Sequence, residues 1–289
     1  MGWWIHYQSD RGGGTLISLV INSLLAYNTA QGNGGGDGSS TLINCTIVSN
    51  TAAAGGGVYN SIAENSIIYD NNGGNYYYTS AANPYWLYYC CTIPYTNGPG
   101  NFTNDPMFVN PDSGNFQWHM NSPCINSGDS AYVTVATDLA GNPRIRGGTV
   151  DMGAYEYQTP SSILSYAWAQ QYGLPTDGSA DYLDTDGIGM KNWQKSIADL
   201  NPTNPASVLA MLPPTITNSA MGVTVSWDSV NTRSYYLTRA TNLVAQPPFS
   251  MVQSNLAGQA GVTSFTDTTA TNGGPYFFFE SACSECGLN

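Results

Sequence analysis

The sequence is poor in charge, and poorest in positive charge. Its 289 residues hold 7 Lys plus Arg against 19 Asp plus Glu, for a net charge of -12, and only 9% of residues are charged. Seven scattered cations cannot neutralise a phosphate track, which excludes a nucleic-acid-binding role. The same shortage excludes a basic membrane-surface protein. No run of about 18 uncharged apolar residues is present, so no membrane span is expected. No basic segment followed by a long apolar core opens the chain, so no signal peptide is visible. Disorder is excluded by what is there: 42% of residues are hydrophobic and 12% aromatic, with 20 Tyr. Low charge density with many Asn, Ser, Thr and Gly is the composition of a secreted β-rich protein. Such a chain without an export signal is expected to be a fragment of a longer extracellular or cell-surface protein.

Glycine triplets stand at residues 12–14, 34–36 and 55–57, spaced 22 and 21 apart. Apolar segments follow each, at residues 19–25, 42–48 and 64–69. Ser23, Cys45, Ser66 and Cys91 recur at spacings of 22, 21 and 25, and Asn28, Asn50 and Asn71 follow the first three at five residues. This period predicts a right-handed parallel β-helix, one coil per repeat, with coils stacked about 4.8 Å apart. Leu25, Ile47 and Ile68 are then expected in the lumen. Asn28, Asn50 and Asn71 are expected in an amide ladder at a turn. The glycine triplets are expected at turns that need positive φ.

The coils are expected to stop near residues 92–94. Four pieces follow: residues 105–108 (Asp-Pro-Met-Phe), 122–128 (Ser-Pro-Cys-Ile-Asn-Ser-Gly), 138–144 (Asp-Leu-Ala-Gly-Asn-Pro-Arg) and 151–156 (Asp-Met-Gly-Ala-Tyr-Glu). Together with the coils, over residues 10–160, this run resembles β-helix proteins with a choice-of-anchor Q domain, in the pectate-lyase-like superfamily. The resemblance implies a bacterial secreted or cell-surface solenoid. It implies fold and location more than chemistry.

A lyase of that superfamily needs an Arg or Lys base beside acids that hold calcium. Residues 1–128 contain no Lys and a single Arg, Arg11. A glycosidase needs two carboxylates roughly 5 to 9.5 Å apart. Asp37 faces Val58 one period on, Asp70 faces Ser49 one period back, and Asp105 and Asp112 fall in the closing segment. His6 and His119 have no companion acid or nucleophile. No catalytic residue is therefore assigned. The sequence reads as a non-catalytic β-helix protein for adhesion or for contact with polysaccharide or cell-surface glycan. The alternative is the carboxyl-terminal fragment of a polysaccharide lyase or glycoside hydrolase whose active site lies in upstream coils. Tyr77, Trp86 and Tyr88, in an aromatic insertion, are the candidate carbohydrate contacts, since aromatic faces stack on sugar rings. Cys91 and Cys124 flank the closing segment and are expected to form a disulfide, with Cys90 as the substitute partner. Cys45 is expected as a buried thiol. Cys283 and Cys286 lack a second pair of ligands, so zinc is not expected.

Beyond a linker at residues 159–163, a helix is predicted over residues 163–172, capped by Ser161 or Ser162 and ended by Gly173. The next loop resembles a dockerin or EF-hand-like calcium loop. Asp184 takes position 1, Asp186 position 3, Gly189 position 6, Met190 position 7 and Asn192 position 9. Ile188 at position 5 and Lys195 at position 12 break the pattern, and Asp177 and Asp181 are the candidate replacements. The resemblance implies calcium held weakly at best, and no other cofactor. A helix over residues 190–199 is expected to pack Trp193 and Ile197. From residue 207 the period becomes two, which predicts a small β-sandwich. Val225, Trp227 and Tyr236 resemble the core of a fibronectin type III-like domain. The expected plan is an all-β-dominated chain: β-helix coils at 1–128, their closing segment at 129–160, a helical dockerin-like segment at 161–205 and a sandwich at 206–289.

Overall fold

The computed structural model describes residues 8–11, 13–80, 86–218, 222–271 and 274–283. The chain forms two compact units, residues 1–181 and 182–289. The division falls inside the segment 161–205, so its two helices belong to different units. No described helix is long and apolar enough to cross a membrane.

The first unit is a parallel β-solenoid of three sheets, each of four short strands. The first sheet holds Thr15–Leu16, Asp37–Gly38, Val58–Tyr59 and Tyr76–Tyr77. The second holds Leu19–Ile21, Thr41–Ile43, Ile62–Glu64 and Leu87–Tyr88. The third holds Leu24–Ala26, Thr46–Val48, Ile67–Tyr69 and Cys91–Thr92. Stacking puts Leu25, Ile47 and Ile68 in one fully buried cluster with Leu42, Val58 and Leu87.

Between strands the chain turns on single residues in the left-handed region. Ile17, Ser39 and Asn60 form one row of corners, Asn22, Asn44, Asn65 and Tyr89 a second, and Tyr27, Ser49 and Asp70 a third. The residue after each corner is often small and polar, and its side chain closes the turn. Ser66 Oγ, for example, accepts the Cys45 amide at 3.0 Å and donates to Glu64 O at 2.8 Å. Pairing of Ile67 with Cys91 places Cys90 beside Ser66. Cys90, not Cys91, therefore continues the Ser23, Cys45, Ser66 row, because the preceding corner falls on Tyr89 and Cys91 already starts a strand.

The glycine triplets correct the expectation in part. Gly34 and Gly55 take φ of 74° and 59°. Gly35, Gly36, Gly56 and Gly57 do not take positive φ; they are needed because adjacent coils touch through backbone. A Cβ on Gly57 would lie 2.2 Å from Asn75 O, and one on Gly35 would lie 2.4 Å from Gly56 O.

The closing segment packs on the third sheet. The hairpin of Phe108–Asn110 and Asn115–Trp118 places Phe116 against Leu24, Ala26 and Val48. The Ala154 amide donates to Thr46 Oγ1 at 3.0 Å, and the Gly153 amide to Asn65 O at 2.8 Å. Behind these contacts lies a buried ionic cluster. Arg144, 1% exposed, donates to the carbonyls of Asp151 and Gly153 at 2.9 Å and faces Glu156 at 3.8 Å. Helix Tyr166–Gln171 docks here through Tyr166, whose amide donates to Ile125 O at 3.1 Å. It starts later than predicted, with Ser165 as the cap. Ser162 closes the turn before the helix instead: its hydroxyl accepts the Leu164 amide at 3.0 Å and donates to Asp181 at 2.6 Å.

The second unit carries two antiparallel sheets of three strands. One orders Met211–Asn218, Gly222–Ser229 and Gly261–Asp267; the other orders Ser250–Ala257, Ser234–Ala240 and Phe277–Cys283. Their shared core contains Val223, Val225, Trp227, Tyr235 and Leu237. Tyr235 thus replaces the expected Tyr236. A one-residue change of parity sends a strand residue to the opposite face. Helix Asn192–Ile197 is shorter than expected and buries Asn192 and Lys195, while Trp193 and Ile197 stay half-buried. Arg233 holds its end, with Nε donating to Ile197 O at 2.6 Å.

Candidate functional site: a groove across the coils

The corner between the first and second sheets repeats in each coil at residues 17–19, 39–41 and 60–62. Because the coils stack in register, these corners line up into an open groove of about 430 Å³. Ser18, Ser39 and Thr41 supply hydroxyl groups, Asn60 an amide whose oxygen is held by Thr79 and whose nitrogen donates to the Thr79 hydroxyl, Ile17 and Leu19 an apolar edge, and Trp86 a wall. Ile17 is 77% exposed although it is β-branched and left-handed, so this edge is held out into solvent at a conformational cost.

The floor is rigid for a chemical reason. Asp37 is fully buried and accepts the hydroxyls of Ser40 at 2.6 Å, Ser61 at 2.5 Å and Thr15. Burial raises its carboxyl pKa, and the three hydroxyls act in the opposite direction. The Ser40 hydroxyl in turn accepts the Ser18 amide at 3.1 Å. Three coils are cross-linked under the groove by one carboxylate.

The predicted aromatic contacts separate. Trp86 lines the groove and stacks on Tyr78 with ring centres 5.0 Å apart. Tyr77 is 48% exposed and stacks on Tyr59 at 5.7 Å, the planes 3° from parallel. Tyr88 belongs elsewhere: it packs with Tyr132, ring centres 6.3 Å apart, in the cluster under the closing segment. Tyr85 lies outside the described residues.

Sequence reasoning missed the acids near Tyr88. Glu64 pairs in register with Tyr88, and its neighbour Asn65 exchanges two hydrogen bonds of 2.8 Å with the Asp129 backbone. Burial raises the Glu64 carboxyl, and the Asp129 charge adds to the effect. The signal was available, since Glu64 stands one coil before Tyr88, but Asp129 reaches this place only through the closing segment.

Asn28, Asn50 and Asn71 are joined amide to amide at 3.0 Å, and the series continues to Asn75, which the sequence spacing did not include. The expected disulfide is not formed: Cys91 and Cys124 are free buried thiols, as are Cys45 and Cys90. The Cys91 thiol donates to Asn104 O at 3.1 Å and neighbours the Cys124 thiol in one buried cluster, and burial pushes its pKa well up, with Cys124 acting in the same direction. The Cys283 side chain, Cys286 and His6 lie outside the described residues.

The calcium-loop candidates also divide. Asp177 accepts the amide and hydroxyl of Ser179, and Asp181 accepts Ser162 Oγ and the Ile163 amide, all within the first unit. In the second unit Asp184 binds loop amides, Asp186 binds Lys195, and Asn192 Oδ1 accepts the Thr185 hydroxyl at 3.0 Å. Met190 is half-buried before the helix. Among the described residues no three His, Cys, Asp or Glu side chains converge on a metal-sized site. These residues do not fit a calcium cage in this arrangement. Compared with known proteins, the chain matches no family model, no curated protein and no solved structure.

Proposed function

We propose that the solenoid is a non-catalytic binding surface for a neutral polysaccharide or cell-surface glycan, in a secreted or surface-attached bacterial protein of the choice-of-anchor Q type. The fibronectin type III-like sandwich and the dockerin-like segment then serve as accessory modules, and the work of the whole is adhesion. One observation carries the reading: the groove crosses several coils and presents repeated Ser, Thr and Asn groups beside a Trp wall. A periodic ligand suits a periodic surface. Hydroxyls and amides match sugar hydroxyls, and an aromatic wall supplies apolar area with defined geometry. The test is affinity electrophoresis and calorimetry against a panel of neutral polysaccharides. Trp86→Ala is expected to weaken binding about tenfold or more, the equivalent of roughly 1.4 kcal/mol, while Tyr88→Ala binds like the parent. Equal loss in both variants, or in neither, rejects the groove.

A second reading rests on Glu64 and Asp129. A carboxyl raised by burial beside a second acid and tyrosines is the pairing a glycoside hydrolase uses for its general acid. Release of reducing sugar by the parent and its loss in Glu64→Gln would favour this reading over adhesion.

A further inference from the structure

We infer that the cation of the calcium-like loop is the protein's own Lys195 ammonium, so the second unit is clamped without calcium. The loop keeps the residues that shape an EF-hand-like turn, with Asp184 first, Asp186 third and Gly189 sixth. At the twelfth place, where the metal loop supplies a bidentate carboxylate, stands Lys195. Its side chain is 0% exposed and that of Asp186 is 1% exposed, and the two form an ion pair. The ammonium also reaches Asn201 O at 3.4 Å and Ser207 O at 3.3 Å. An ammonium has three donors and no acceptor, and here it meets one carboxylate and two carbonyls. These are hard oxygen ligands of the kind calcium takes, gathered around a group of charge one.

The first position of the loop is engaged in shaping the turn. Asp184 accepts the amides of Gly187 at 2.9 Å, Ile188 at 3.2 Å and Gly189 at 2.7 Å, which closes the turn. One Asp186 oxygen is buried with no partner, so removing the ammonium would strand a buried carboxylate. The clamp has a mechanical consequence. Lys195 sits on the helix, Asp186 in the loop, and Asn201 and Ser207 in the segment leading to the first strand of the sandwich. A single side chain ties these pieces together whatever the calcium concentration.

The chain has two lysines, Lys191 and Lys195, and Lys191 is exposed. Amine acylation of the full chain, mapped by mass spectrometry, reads them separately. Lys195 is expected to react about tenfold or more slowly than Lys191, as a group reached only by local opening, and equally slowly in chelator and in millimolar calcium. The unfolding temperature of the parent is expected to be the same in both buffers, and Lys195→Glu with Ile188→Asp is expected to become calcium-dependent. Lys195 labelling as fast as Lys191 overturns the inference. So does protection, or a higher unfolding temperature of the parent, that appears only with calcium. If the double variant does not fold, the labelling and melting of the parent decide.

Discussion

Asn50 shows how much one side chain does in this solenoid. Its Oδ1 accepts the Asn28 amide at 2.8 Å and Asn28 Nδ2 at 3.0 Å, while its Nδ2 donates to Leu25 O at 2.8 Å and Asn71 Oδ1 at 3.0 Å. All four hydrogen-bonding places of the amide are filled, and the residue is 0% exposed. Each buried group left without a partner costs about 1–3 kcal/mol. Asn50→Ala strands the Asn28 backbone amide and takes one partner each from the Asn28 and Asn71 side chains, so denaturant unfolding should show a loss of roughly 3 kcal/mol or more. A midpoint unchanged from the parent would mean that water replaces the ladder without cost. The same arithmetic explains the end of the series. Asn75 accepts from Asn71 and donates to Ile93 O at 2.8 Å, which closes the ladder on backbone.

At the level of strands and corners, coil spacing is set by glycines that have no room for a side chain. Gly57→Ala would place a methyl 2.2 Å from Asn75 O and 2.7 Å from Ile68 Cγ2, so backbone must move. Overpacking of this kind costs about 1–3 kcal/mol, and calorimetry should show it as a lower transition for the solenoid unit. An unchanged transition would show that the coils can separate freely. This level was also the most legible in the sequence. The 21- and 22-residue spacings located the coils, the lumen residues Leu25, Ile47 and Ile68, and the Asn series. Legibility failed where the period was interrupted: the aromatic insertion lengthened the last coil, and Cys90 replaced Cys91 in the row. It failed again at Tyr235, where a run of neighbouring aromatics left the inward parity open. The groove was half legible. Trp86 was visible as an aromatic of the insertion, but Ser18, Ser39 and Asn60 gain meaning only when three coils are stacked. The Lys195 clamp could be read only as a broken pattern, because its carbonyl partners come from the linker.

For the molecule as a whole, the shortage of positive charge becomes a pH dependence. Asp138, Asp151 and Glu156 sit around Arg144, three carboxyls to one guanidinium, which is itself engaged with carbonyls. Burial pushes the Asp151 pKa up to about 7 and that of Glu156 to about 9, in the latter case with the help of the Asp151 charge. In the unfolded chain these groups return to about 3.9 and 4.3. Between the two sets of values the folded state holds protons that the unfolded chain has released. Stability from this cluster is therefore fully present below about pH 4 and is lost as pH rises, through about 7 for Asp151 and about 9 for Glu156. The slope per held proton has a ceiling of about 1.4 kcal/mol per pH unit. Calorimetry of the full chain should show the solenoid transition falling between pH 5 and pH 9, by an amount on the order of several degrees. Glu156→Gln should flatten the upper part of that fall, because an amide keeps the neutral form; its one oxygen replaces the two that accept from Arg146 and Asp151, so one of those bonds is lost and the variant starts from a lower transition. A parent whose solenoid transition rises over this range would mean that Arg144 holds both carboxylates ionised, and that the cluster stabilises the closing segment as an ion pair.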